Sequence, residues 1–483
     1  MTTQFSRVLT PLGGTESARS MVSLRSQVTT RQERFAIGKT LRETRPISNL
    51  ALWDVQRGRD GGVDLIRASH EGRVENLVGI RVARMISSPY SFLRGSAVLM
   101  ADDVARLPVT GIAPVVCGDA HLGNFGFYRS PEGAQVIDLN DFDESHVGAW
   151  EWDVKRLTAS IWVAGRENGL SEAQCAAAVT SCAASYRDEI ARLACLPLLA
   201  RSFERMDVGH LVKKASDATL QQAIARAAKS ARKRTSDRAL PRFTTEQNGH
   251  RQIVAEPPLI ERLSDADAEN LAEGLDDYLM TLPMQWRRVL SGYTLVDVAQ
   301  KVVGVGSVGL RAYVALVEGS SPDDVIFLQL KQARRSVLAR YIHGEHAWHA
   351  HQGQRVVEYQ QALQTVSDPL LGWTEFGGHQ YYVRTFRNMK GTVPLNDLDA
   401  AGLTDYARVV GLLLAKGHAR TSGASMIAGY LGTDDQAAAA LAVFARAYAD
   451  QTEADHATMV AAVKRGELPV SEGYMGSAFR PGG

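Results

Sequence analysis

Residues 118–125 read Gly118-Asp119-Ala120-His121-Leu122-Gly123-Asn124-Phe125, and an acidic run, Ile137-Asp138-Leu139-Asn140-Asp141, follows soon after. A carboxylate, a carboxamide and further carboxylates in that order suit phosphoryl transfer. Asp119 would orient an acceptor hydroxyl or take its proton. Asn124 and Asp138 would hold Mg²⁺ against nucleotide phosphates, with Asp141 able to share or take over the role of Asp138. Hard oxygen ligands are needed because triphosphate and acceptor repel each other, and the metal must stay between them. His121 lies inside the same loop, where packing or hydrogen bonding is a simpler role than that of a base.

A second chemical signal comes much later. Gly304-Val305-Gly306-Ser307-Val308-Gly309 matches GxGxxG. A dinucleotide-binding reading needs a helix directly after the glycines. Here Leu310 to Val317 reads as a strand, so the context is a β-hairpin whose turn lies over phosphates. The next apolar strand ends in Phe327-Leu328-Gln329-Leu330-Lys331. Lys331 would reach the phosphates if a carboxylate held it. Glu358, on the helix-like stretch from Arg355, is the expected partner, and Glu345 the second choice. The alternatives are a surface hairpin with a snorkelling lysine and a solvated glutamate.

The elements around these residues follow from periodicity and breakers. Residues 1–60 are polar and Arg-rich, and predict an extended or loosely packed arm. Phe92 to Leu107 predicts a helix. Val115-Val116-Cys117 and Ala134 to Leu139 predict short strands on either side of the Asp119 loop. Residues 150–200 and 403–465 predict helices, and 295–330 with Tyr381 to Arg384 predict strands. The basic stretch Arg226 to Arg238 reads as a solvated face and linker. Pro257-Pro258 marks a boundary. His343, His346, His349 and His351 cluster, but a solvated helix start explains them better than zinc. His418 reads as structural.

Composition narrows the class. The chain has 483 residues, 45% apolar and 22% charged, which is ordinary for a globular protein of two or more units. A net charge of +1 gives no global field for nucleic acid or membrane. Four cysteines without CxxC or zinc spacing read as reduced thiols. The first residues lack a signal-peptide core, and no apolar run approaches ~18 residues. The expectation is a cytoplasmic protein.

The loop and acidic run together resemble the aminoglycoside-phosphotransferase and choline-kinase branch of the kinase-like superfamily. Trp150-Glu151-Trp152-Asp153-Val154-Lys155-Arg156-Leu157 resembles the helix downstream of that branch's catalytic loop. The resemblance implies that Asp153 braces the loop through its backbone. Cys117 stands where the branch usually has histidine. Over most of its length the chain resembles the bacterial family called domain of unknown function 2252, in Ser88 to Gly95, Cys117 to Phe127, Asn140 to Glu144, Gln329 to Lys331, Arg355 to Glu358 and Tyr382 to Thr385. The resemblance implies a kinase-like fold and ATP-dependent phosphotransfer, without a substrate.

In kinase-like chains the glycine loop and lysine precede the catalytic loop. Here they follow it, and the only lysine before Asp119, Lys39, lies in a polar, Pro-flanked segment. The expected fold is therefore α+β, two-lobed, kinase-like and circularly permuted. It comprises an N-terminal arm (1–70), a catalytic half (71–255), a nucleotide-binding lobe (290–395) and C-terminal helices (396–483). The expected activity is ATP- and Mg²⁺-dependent phosphotransfer to a hydroxyl or amine of a small molecule. Protein-directed kinase, nucleotidyl transferase and non-catalytic nucleotide-binding regulator are the alternatives.

Overall fold

The structure is a computed structural model that describes residues 29–53, 62–247, 250–302, 307–342, 349–386 and 388–471. Helices and antiparallel sheet are segregated, giving an α+β protein.

Helix α1 (Arg31–Thr44) opens with a capping box between Thr30 and Glu33. It is not the loose arm expected for residues 1–60. It packs near the C-terminus, where Arg42 donates from Nε to the carbonyl of Tyr430 and from Nη2 to that of Leu431, both at 2.5 Å. Helices α2 (Glu75–Met85), α3 (Pro89–Gly95) and α4 (Ala97–Ala105) follow. The single helix expected over Phe92 to Leu107 is broken at Ser96, where the backbone leaves helical geometry (φ −114°, ψ 35°). Strands β1 (Val115–Val116) and β4 (His146–Val147) pair antiparallel, as do β2 (Phe125–Arg129) and β3 (Gln135–Leu139). These two ribbons frame the Asp119 loop. Helices α5 (Trp150–Glu167) and α6 (Glu172–Cys195) run behind it.

The sheet-bearing half begins at the hairpin of β5 (Thr244–Gln247) and β6 (His250–Ile253), earlier than residue 290. Ile253 shares a core with Ile260, Val314, Leu316 and Phe327, so Pro257-Pro258 lies within this half and does not bound it. Strand β7 (Ile260–Arg262) leads to helix α7 (Asp265–Thr281), then β8 (Thr294–Lys301), β9 (Ala312–Glu318) and β10 (Val325–Gln332). Helix α8 (Gln352–Leu363) precedes β11 (Gly372–Phe376) and β12 (His379–Thr385). The six-stranded sheet has the order β11-β12-β10-β9-β8-β7, antiparallel throughout. One face packs on α7, where Leu271 and Tyr278 meet Ala315, Leu330 and Val383. The GxGxxG segment joins β8 to β9 within a hairpin, although residues 303–306, and so Gly304 and Gly306, lie outside the described residues.

Three helices close the chain: α9 (Ala400–Arg420), α10 (Ala424–Leu431) and α11 (Gln436–Lys464). Helix α9 lies against α6, and the largest apolar core joins the two to α5 and the Asp119 loop. No helix among the described residues is long and apolar enough to cross a membrane.

Candidate active site

The Asp119 loop is held by its backbone. Asp153, in the first turn of α5, accepts the N–H of Cys117 at 2.6 Å and of Gly118 at 2.8 Å. Its carboxylate also lies 3.1 Å from Nε2 of His418, whose other nitrogen meets the Tyr186 hydroxyl at 2.8 Å. The helix that carries His418, α9, thus reaches the loop through Asp153. Gly118 has φ +80°, and a Cβ there would meet the Glu144 carbonyl oxygen at 2.1 Å, so only glycine fits.

Three residues beyond Asp153 on the same helix face, Arg156 grips Asp119 from Nε (2.7 Å) and Nη2 (2.6 Å). Burial pushes the Asp119 carboxyl up to about 6; Arg156 opposes the shift and nearby Asp141 adds to it. Asp119 stays 22% exposed and faces a cleft. His121 Nε2 lies 4.0 Å from its Oδ2. Burial, with Arg94 and Arg156 nearby, pushes the His121 imidazole well below its usual range, so it is neutral. Asn124 donates its amide N–H to the carbonyls of Asp119 and Asp141, both at 3.2 Å, which commits the nitrogen to the loop and leaves its oxygen as the remaining acceptor. Cys117 Sγ lies 3.3 Å from the Asp141 carbonyl, tying the loop to the acidic run.

Lys331, at the end of β10, meets this early acidic run. Its Nζ lies 2.8 Å from Asp143 Oδ2 and 3.8 Å from Asp141 Oδ1. Burial would discharge the ammonium, but the two carboxylates outweigh it and hold its pKa above the usual lysine range. Asp143 is also pushed up by burial, but the Lys331 charge wins and leaves it below the usual range; Asp141 is raised by burial and by Asp143.

Two expected assignments do not hold in this geometry. Glu358 is not the partner of Lys331: it accepts from His349 Nε2 at 2.6 Å and from Gln354 at 2.8 Å, while the lysine is already matched by nearer carboxylates. Glu345, the second choice, lies outside the described residues. The residue of α8 that serves the cleft is Arg355. It is fully buried and donates to the backbone carbonyls of Asp143 (2.8 Å), Ser145 and Arg334. Asp138 does not face the cleft either. Its carboxylate lies 3.1 Å from Lys416 Nζ on α9, both side chains being 4% exposed or less. Side chains alternate along β3, and Asp138 points toward α9, whereas Asp141 lies past the strand's end and lines the cleft.

The cleft, of about 140 Å³, is lined by Asp119, His121, Asp141, Asp143 and Glu144. Arg73, Arg81 and Arg94 line it too, with Ser307 and Leu310 from the end of the glycine-rich segment. Gly309 has φ +87°, and its carbonyl oxygen accepts the N–H of Val74 at 2.8 Å, strapping that segment to the helical half. At the acidic end, Glu144 Oε2 accepts the Val337 N–H at 2.7 Å, and burial pushes the Glu144 carboxyl up to about 7.

Among the described residues, no three His, Cys, Asp or Glu side chains form a ready-made metal cage. Mg²⁺ held partly by phosphates needs only one or two carboxylates. Asp141 and Asp143 supply them, and Asp143 Oδ1 is buried without a hydrogen-bond partner. These two carboxylates fit such an ion; Asn124 is buried and does not line the cleft, but its amide bonds the Asp141 carbonyl beside them. Of the histidine cluster, His349 is held by Glu358 and His351 caps α8, while His343 and His346 lie outside the described residues.

Residues 73–462 match the family described as uncharacterized protein conserved in bacteria (DUF2252). The chain belongs to that family. The DUF2252 match spans the basic wall from Arg73, the Asp119 loop, the whole sheet-bearing half and α9, so every group of the cleft lies within it except Ser69. No curated protein and no solved structure matches the chain.

Arg156, Asp143 and Arg355 were not assigned roles from sequence. The spacing of Arg156 from Asp153 on one helix and of Asp143 from Asp141 across one residue are the signals that point to the first two; for Arg355, burial in the fold is the only one.

Proposed function

We propose that the chain is an ATP- and Mg²⁺-dependent phosphotransferase of kinase-like, circularly permuted design, acting on a hydroxyl or amine of a small molecule. The observation that carries this reading is the 2.8 Å ion pair between Lys331 and Asp143 beside Asp119. A cation from the sheet-bearing half meets the acidic run of the helical half at Asp143, which lines the cleft with Asp119, though the two lie far apart in the chain.

In this reading Lys331 binds the phosphate oxygens, and its charge persists at physiological pH because Asp141 and Asp143 stabilise it. Asp119, oriented by Arg156, receives the proton as the acceptor oxygen or nitrogen bonds to the γ-phosphorus and the bond to the β–γ bridging oxygen breaks. Asp141 and Asp143 would hold Mg²⁺, which supplies charge neutralisation to the phosphates when bound. Rate enhancement would come from positioning and charge stabilisation.

An ATP-consumption screen against alcohols, sugars, amines and their phosphorylated or carboxylated derivatives tests the proposal. Turnover that disappears in Asp119→Ala is the expected result. Transfer of label from α-labelled but not γ-labelled ATP would identify a nucleotidyl transferase instead. ATP binding without turnover on any acceptor or protein, unaltered in Asp119→Ala, would favour a regulator.

A further inference from the structure

The cleft that holds Asp119 also carries a basic wall. Arg156 already matches Asp119, and Lys331 matches Asp143. Arg73 and Arg94 line the cleft with no carboxylate in salt-bridge range among the described residues. Arg94 makes no side-chain hydrogen bond among the described residues, and its Nε is buried without a partner. Its charge is felt at both Asp119 and His121. Arg73 donates Nε to the Ser69 carbonyl at 3.0 Å and Nη1 to the Val308 carbonyl at 2.5 Å, which fixes the guanidinium and leaves Nη2. Arg334 reaches the same Ser69 carbonyl at 3.4 Å, so two guanidinium groups converge there. Burial and the neighbouring Arg334 push Arg73 down to about 10, against the weaker pull of Glu144 and Asp143. Like charges crowded into a partly buried wall are unfavourable unless an anion joins them. Guanidinium forks suit the planar or tetrahedral oxyanions of carboxylate and phosphate.

We propose that this wall is the oxyanion subsite of the acceptor. The molecule phosphorylated at Asp119 carries a phosphate monoester or carboxylate, which Arg94 and Arg73 hold while its hydroxyl or amine faces Asp119. The inference rests on the phosphotransferase reading for the acceptor's role, whereas the subsite itself rests on the arginines. The competing source of the same chemistry is the nucleotide's own terminal phosphate.

Calorimetry separates the two. The probes are inorganic phosphate and a non-hydrolysable ATP analogue with Mg²⁺. The wild type should bind phosphate even when saturated with the analogue. Arg94→Gln should weaken phosphate binding by about tenfold or more, as expected for the loss of one charge-assisted contact, and leave analogue binding within about twofold. Arg94→Lys should keep most phosphate affinity, because it restores the charge. Lys331→Met should weaken the analogue and spare phosphate. No phosphate binding by the wild type, or binding indifferent to Arg94→Gln, would overturn the subsite. Phosphate displaced by the analogue, with Arg94→Gln weakening both alike, would give the wall to the nucleotide and overturn the acceptor assignment. Arg94-dependent phosphate binding in a protein that binds no analogue would instead overturn the phosphotransferase reading and leave the oxyanion subsite standing.

Discussion

Replacing Asp153 should cost far more stability than replacing Asp119, although the two carboxylates serve the same loop. Asp153 is 1% exposed and accepts two backbone N–H groups and the His418 imidazole. Asp153→Ala leaves those buried donors without an acceptor. Each such donor costs roughly 1–3 kcal/mol, so the loss should reach about 4 kcal/mol, with water entering the vacated space able to soften it. Asp119 differs because burial pushes its carboxyl from 3.8 up to about 6 even with Arg156 in contact. The folded protein therefore binds a proton there more tightly than the unfolded chain, and at neutral pH the charged form opposes folding. That opposition is at most about 3 kcal/mol, and solvent screening at a partly exposed group trims it. Asp119→Asn relieves that cost and keeps an acceptor for Arg156, but leaves the buried guanidinium without its countercharge; the two terms offset, so the net change should be small.

Urea unfolding at pH 7, followed by tryptophan fluorescence, measures both. Trp150 stacks on Tyr186, the residue bonded to His418, so its emission reports on this cluster. A loss below about 1 kcal/mol in Asp153→Ala, or above about 2 kcal/mol in Asp119→Asn, would refute the assignment of bracing to one and chemistry to the other.

Three further outcomes follow from the same geometry. With Asp119 as the base, kcat/KM should fall about tenfold per unit below pH 6, where the carboxylate protonates, and a pH–rate profile of the active acceptor checks it. Lys331→Met strands the Asp143 and Asp141 charges and should cost about 3 kcal/mol, whereas Lys331→Met with Asp143→Asn should cost less than the single change; denaturant unfolding of the double-mutant cycle reads the coupling. Glu144 is raised from 4.5 to about 7 by burial, so the folded state holds its proton more tightly and stability should decline as pH rises through that window, by at most about 3 kcal/mol. Glu144→Gln, which retains an acceptor for the Val337 N–H, should flatten this slope in unfolding curves taken from about pH 4.5 to about 7.5.

Local structure is legible in the sequence where a residue's setting depends on its immediate neighbours. The Asp119 loop, the short strands around it, and β10 ending at Lys331 were all read from runs of a few residues, and each stands where expected. What failed were pairings decided by three-dimensional approach. Glu358 looked like the partner of Lys331 because a glutamate on a helix is a common device, yet distance favours Asp143. Asp138 looked like the metal ligand because it ends an apolar strand, yet strand alternation turns it toward Lys416, a residue far along the chain. The sequence of helix α1 reads as a loose arm because it is polar overall despite its amphipathic spacing, and its partners are the distant carbonyls of Tyr430 and Leu431. The sheet-bearing half was started too late because Pro257-Pro258 reads as punctuation, while Ile253 and Ile260 on either side of it enter the same core.

The order of the halves bears on how the cleft forms. Asp141 and Asp143 belong to the helical half, and their countercharge, Lys331, belongs to the sheet. Arg355, also from the later half, is buried and holds the carbonyls of Asp143 and Ser145. From the other side, Arg73 of the helical half binds the Val308 carbonyl in the glycine-rich segment, and Val74 binds Gly309. Each half thus lends the other a buried charge or a backbone anchor that it lacks alone. Breaking a buried ion pair costs about 3–5 kcal/mol because the remaining charge is left uncompensated. The acidic run therefore attains its arrangement only once the sheet has docked, and the glycine-rich segment only once the helical half has folded. Chain order is immaterial to the finished cleft, because the same contacts form whichever half is written first. That is why a lysine almost two hundred residues downstream of Asp143 can pair with so early a stretch of the chain.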